Sequence, residues 1–144
     1  MSSLRIPDFK SGSINEDEYR THFCLWAILA APLIAGNDLT TMTLYTEAML
    51  ANREIIAVDQ DPLGKQGFRV AQQGPFEVWM KPMADGSKVV GLFNRQRTSE
   101  RMTVRFSEIG IAQAAEIRDL WVKKLWVRSR TNSARMCPPT GLCS

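Results

Sequence analysis

The hydrophobic period of this chain changes once, near Gly67, and that change constrains the fold more than any other feature. Upstream, Phe23, Trp26 and Leu29 recur at helical spacing and lead into an apolar run, Cys24–Ala35, interrupted only by Pro32. Downstream, Phe76, Val78 and Met80 alternate with Glu77, Trp79 and Lys81, the period of a strand. A chain of 144 residues with such a switch reads as an α/β opening followed by antiparallel β structure. Hydrophobic residues make up 44% and charged residues 23%, which excludes wholesale disorder. Three cysteines, two of them in the last eight residues, exclude a disulfide-built scaffold.

The local signals refine this. Asn15 with Glu18 three residues on predicts a capping box, and Ile14 with Tyr19 a hydrophobic staple. Glu16 and Asp17 place negative charge at the positive end of the helix dipole. That helix must end near Pro32. Leu33-Ile34-Ala35, closed by Gly36-Asn37-Asp38, predicts a buried strand of a parallel sheet. Thr43 predicts the cap of a short helix through Leu50, Asn52–Val58 is mixed, and Asp61-Pro62-Leu63-Gly64 predicts a turn. Ala84-Asp85-Gly86-Ser87 joins the first alternating run to a partner strand at Lys88–Asn94. Met102–Phe106 and Glu116–Val122 read as further strands. The resulting division is 1–13 irregular lead-in, 14–62 α/β, 63–122 antiparallel β and 123–144 an atypical tail.

Charge narrows the function classes. The net charge is +3, but residues 123–144 carry five bases and no acid, so the body before them is faintly acidic. A nucleic-acid footprint requires bases clustered on the folded part, so no nucleic-acid partner is expected. A membrane span needs about 20 apolar residues, more than the Cys24–Ala35 run supplies, and no membrane partner is expected. The N-terminal residues lack the apolar core of a signal peptide, and the compartment stays open.

Few residues carry chemistry on their own. His22, the sole histidine, lies inside the helical pattern and reads as a helix-surface or packing residue, and Cys24 reads as a small core residue. Cys137 and Cys143 lack a second ligand pair, so no metal is expected, and Gly64-Lys65-Gln66-Gly67 lacks the spacing of a phosphate loop. No cofactor is expected. Asp38 follows the predicted strand, where an α/β barrel builds its active face, but an Asn-Asp pair is also an ordinary turn former. Asp59 and Asp61 read as turn residues rather than an acid–base pair.

Two longer stretches are more specific. Asp17–Asp38 and Asn52–Gly67, followed by Glu77-Val78-Trp79, Asp85-Gly86-Ser87, Leu92-Phe93-Asn94 and Arg118-Asp119-Leu120-Trp121, closely resemble the melibiase-type α-galactosidases, glycoside hydrolase family 27. The resemblance runs from about Ile14 to Val122. It implies the last helix–strand–helix of a (β/α)8 barrel followed by an incomplete antiparallel β-sandwich. It also implies retaining hydrolysis of terminal α-galactosides, in which one aspartate attacks the anomeric carbon and another protonates the leaving oxygen. Both aspartates of the family lie upstream of the stretch matched here, so no catalytic, cofactor or metal residue is assigned. Pro7-Asp8-Phe9 only faintly resembles a cleft-lining family motif, and Asp8 receives no role. The chain alone is expected to be inactive, with marginal stability and a tendency to aggregate through unpaired strand edges.

Codons can be chosen for Lys124–Cys143 whose shifted frame spells a family-like ending, so the resemblance implies a frameshifted tail. Two other roles are compatible with the residues. One is a non-catalytic carbohydrate-binding or interaction module using Trp79, Trp121 or Trp126, although Trp79 and Trp121 fit a core role better. The other is a subunit that completes another chain's barrel. The parent family is often secreted or lysosomal.

Overall fold

The computed structural model describes residues 16–36, 38–96, 98, 102–111, 115–129 and 133–136, with 126–129 and 133–136 described by backbone alone. Among the described residues three helices come first: α1 (Glu16–Ile28), α2 (Leu44–Leu50) and α3 (Arg53–Asp59). Seven strands follow: β1 (Phe68–Gln73), β2 (Phe76–Pro82), β3 (Lys88–Asn94), β4 (Met102–Arg105), β5 (Ala115–Asp119), β6 (Lys124–Ser129) and β7 (Ser133–Met136).

The end of α1 is set before Pro32 is reached. Ala30 takes a left-handed conformation with φ of 50°. Its N–H donates to the Ala27 carbonyl, and the Ala31 N–H donates to the Trp26 carbonyl. This is a Schellman close with alanine where glycine is usual. Asn15 and Ile14, the predicted cap and staple, lie outside the described residues. The predicted strand at Leu33–Ala35 is not formed: residues 31–36 have no strand pairing, and Ile34 is 53% exposed. A strand exists only through its neighbours, and none of the described strands pairs with this segment.

The helix at α2 is capped as expected, with the Thr43 hydroxyl accepting from the Thr46 N–H. The mixed stretch after it is a helix, α3. The Asn52 side chain accepts from the Glu54 and Ile55 N–H groups and so starts a new helix directly after α2.

Among the described residues all strand pairs are antiparallel, arranged as β1-β2-β3, β4-β7 and β5-β6. In the β2–β3 ladder Val78 faces Leu92 and Glu77 faces Phe93, so cross-strand partners share a face. The Val78/Leu92 face packs on Val104, Phe106 and Ile109. The opposite face, with Val89 and Phe93, packs on Tyr19, Phe23, Cys24, Ile28, Ile55 and Val58 of the helices. The sheet is thus the middle of three layers. Residues 124–129 pair with β5 and 133–136 with β4, so strand pairing continues past residue 122.

Gly67 seals the junction between the layers. Its N–H donates to the Ile28 carbonyl at 2.7 Å. A Cβ there would collide with the Ile28 side chain and lie 3.0 Å from the Ile28 and Met80 carbonyl oxygens. Only glycine permits that approach.

Candidate functional site

The acids that sequence places near an active face are each engaged locally. Asp38 is exposed; its carboxylate accepts from the Thr40 N–H at 2.9 Å, the Thr40 hydroxyl at 2.6 Å and the Thr41 hydroxyl at 3.1 Å. This is a turn-capping pattern. Asp61 accepts from the Leu63 N–H at 3.0 Å and the Ala84 N–H at 3.1 Å, tying the 61–64 turn to the β2–β3 connection. Asp59 departs from the expectation of a turn residue: it ends α3, is buried, and accepts a short hydrogen bond from the Gln60 amide. Burial raises its pKa, with Gln60 and Lys81 pulling the other way.

The charged face of β2 was unforeseen. Alternation puts Glu77, Trp79 and Lys81 together on one face of β2, and that face is interior: Glu77 is 3% exposed and Lys81 wholly buried. The Lys81 ammonium donates to the Ala27 carbonyl at 3.1 Å and to the Val58 carbonyl. It thereby satisfies acceptors from α1 and α3 with one cation. Burial lowers the Lys81 pKa, while Asp59 and Asp61 favour the charged form. Glu77 accepts from the Trp79 indole N–H at 2.9 Å and meets Arg95 at 2.9 Å and Arg69 at 3.4 Å. Burial alone would raise its pKa; the indole and the two guanidinium groups outweigh that and hold it below the usual carboxylate value. No periodicity rule signals either residue, because their burial depends on a helical layer contributed from the other half of the chain.

Other candidates resolve into packing. Cys24 is fully buried, and desolvation raises its thiol pKa well above the ordinary value, so it is not poised to react. The His22 ring stands edge-on to Trp26 with centroids 4.0 Å apart, and burial lowers its pKa. Trp79 and Trp121 are part-buried against the helix-side core, and the Arg20 guanidinium lies 4.7 Å over the Trp121 ring. Neither ring is an open platform for a sugar. Asp8, Cys137, Cys143 and the Trp126 side chain fall outside the described residues. Among the described residues no three His, Cys, Asp or Glu side chains group as metal ligands, and no helix is long and apolar enough to cross a membrane.

Two further contacts bind the halves. Arg118 of β5 holds Glu54 of α3 through two bonds, 2.9 and 2.7 Å, and the Asn52 amide donates to the Leu120 carbonyl at 3.1 Å. The Arg-Asp-Leu-Trp stretch is therefore the clasp between α3 and the strands.

Known proteins match both halves. A family profile described as Alpha galactosidase A matches residues 4–61, and one described as Alpha galactosidase C-terminal beta sandwich domain matches 73–141. The chain belongs to the melibiase family. An α-galactosidase of Oryza sativa is 39% identical over 130 residues, 89% of this chain and 31% of the relative. Alpha-galactosidase 2 of Arabidopsis thaliana is 42% identical over 113 residues, 77% of this chain and 28% of the relative. The crystal structure of α-galactosidase I from Mortierella vinacea superposes with a TM-score of 0.86 at 30% identity, over 96% of this chain and 37% of that one. The chain therefore spans about a third of the length of these relatives. The helices and strands correspond to a barrel end followed by the family's C-terminal sandwich.

Proposed function

We propose that this polypeptide is the scaffolding end of an α-galactosidase and hydrolyses nothing by itself. What supports the reading is where its acids go. Retaining hydrolysis needs two carboxyl groups about 5 Å apart across the scissile bond. Here Asp38 closes a turn, Asp59 lies beside Lys81, Asp61 pins a hairpin, Glu77 holds two arginines and Glu54 clamps Arg118. Releasing any of them for catalysis would undo a structural contact.

The helical half offers the remaining part of the function. Ile34, Leu39 and Leu44 are 53%, 67% and 84% exposed, an apolar edge along the segment that follows α1. That edge suits a covering barrel, carried on the same polypeptide or on a complementing chain. Galactoside binding belongs to the completed barrel, with no role for nucleic acid, membrane, metal or cofactor. The test is an assay of purified chain from a host lacking α-galactosidase, with an aryl α-galactoside as substrate. The expected release equals that of buffer. Release that scales with the purified chain overturns the proposal.

A further inference from the structure

One short segment joins the helical half to the strands, and it is pinned at both ends. Upstream, the Asp61 carboxylate accepts from the Ala84 N–H at 3.1 Å. Downstream, Gly67 is buried and its N–H donates to the Ile28 carbonyl at 2.7 Å. Between these pins every residue from Pro62 to Gln66 is exposed. Pro62 and Leu63 make a turn that Gly64 closes by donating to the Asp61 carbonyl at 3.0 Å. Residues 64–66 belong to no helix or strand, and among the described residues neither Lys65 nor Gln66 forms a hydrogen bond or ion pair.

The contacts that hold the two halves together do not pass through this segment. The Lys81 ammonium sits on the Ala27 and Val58 carbonyls, Arg118 holds Glu54, and the Asn52 amide donates to the Leu120 carbonyl. Val89 and Phe93 of β3 pack among Phe23, Ile28, Ile55 and Val58. Each of these contacts joins a residue before 60 to one after 67. A cut between the pins removes none of them.

A protease takes its substrate extended, so fast cleavage needs a segment that opens locally at small cost. The other described lysines lack one. Lys81 is wholly buried. Lys88 lies in β3 with its ammonium on the Ile109 and Gly110 carbonyls at 2.9 and 2.8 Å. Lys123 occupies the β5–β6 turn in a left-handed conformation with φ of 56°, and Lys124 pairs with Asp119 in that ladder.

We propose that the Lys65–Gln66 bond is a processing site for a lysine-directed serine protease, and that the product is a two-chain form held together by the contacts between the halves. In the step itself the Lys65 carbonyl carbon passes from the Gln66 nitrogen to the protease serine oxygen and then to water. A Lys65 carboxylate and a Gln66 ammonium result. What was an intramolecular interface becomes an association of two chains, so its stability comes to depend on concentration. The proposal stands or falls independently of the function proposed above.

The experiment is a timed digestion of the full native chain with a lysine-specific endoproteinase, read by intact mass. Among Lys65, Lys81, Lys88, Lys123 and Lys124, the first cut should fall at Lys65, on the order of tenfold ahead of Lys123. Lys65→Gln should leave residues 16–123 in one piece over the same period. The piece ending at Lys65 and the piece starting at Gln66 should co-elute on gel filtration in buffer and separate in denaturant. The melting temperature of the nicked form should rise with protein concentration, while that of the intact chain stays fixed. An earlier cut at Lys88 or Lys123, unchanged digestion of Lys65→Gln, separation of the two pieces in buffer, or a nicked form whose melting ignores concentration would overturn the proposal.

Discussion

The two faces of the β1-β2-β3 sheet are both buried, but by different means. On one, Val78 and Leu92 meet Val104, Phe106 and Ile109, an apolar contact that shape and area explain. On the other, the same strand presents Glu77 and Lys81 to the helices, and burial succeeds only because each charge finds partners. The charged face has little slack, since losing one partner leaves another group stranded. The lesson is that alternation in a strand reports side-chain chemistry and not exposure: a polar face can be an interior face when a second layer supplies counter-groups.

The sharpest way to break this contrast is Lys81→Met. It removes the donor shared by the Ala27 and Val58 carbonyls and leaves the Asp59 charge buried without its cation. Denaturant unfolding should show a loss of about 3–5 kcal/mol. On the opposite face Leu92→Ala should cost less, about 2–3 kcal/mol, because its neighbours there are apolar and no charge is left stranded. Gly67→Ala, at the seam, should cost about 1–3 kcal/mol, since the new methyl drives into Ile28. Acid titration probes Glu77. Its folded pKa is depressed, so the stability it contributes is full above its unfolded value near about 4.3 and is lost as pH falls through the folded value. Glu77→Gln should flatten that acid limb. The smallest effect belongs to Arg118→Ala. The Arg118–Glu54 pair is open to solvent, so the change in midpoint should be slight and should vanish at high salt.

Much of the fold was legible, and all but one of the failures share one cause. The β2–β3 hairpin, its 84–87 turn, the Thr43 cap and the core position of Cys24 all depend on contacts within one segment or on a strong residue preference. Leu33–Ala35, the charged face of β2 and the tail strands depend on what lies opposite. An apolar triplet becomes a strand only beside other strands, and Ile34 has none here. Lys81 is interior only because the C-terminal carbonyls of α1 and α3 converge on it. Lys124–Ser129 carries no alternation, yet β5 supplies a ladder for it. Helix α3 was missed for a different reason: seven residues are too few to show a period. The family motifs were legible because they recur as ordered stretches, and they located the chain within its relatives before any contact was known.

The account rests on the helical segment and the strands forming one unit with the charged face of β2 inside it. Lysine acylation of the native chain, followed by peptide mass analysis, tests this most directly. Lys65 and Lys123, both exposed, should react at once, and Lys81 should stay unmodified until the chain is denatured. Labelling of Lys81 at the rate of Lys65 under native conditions would contradict it.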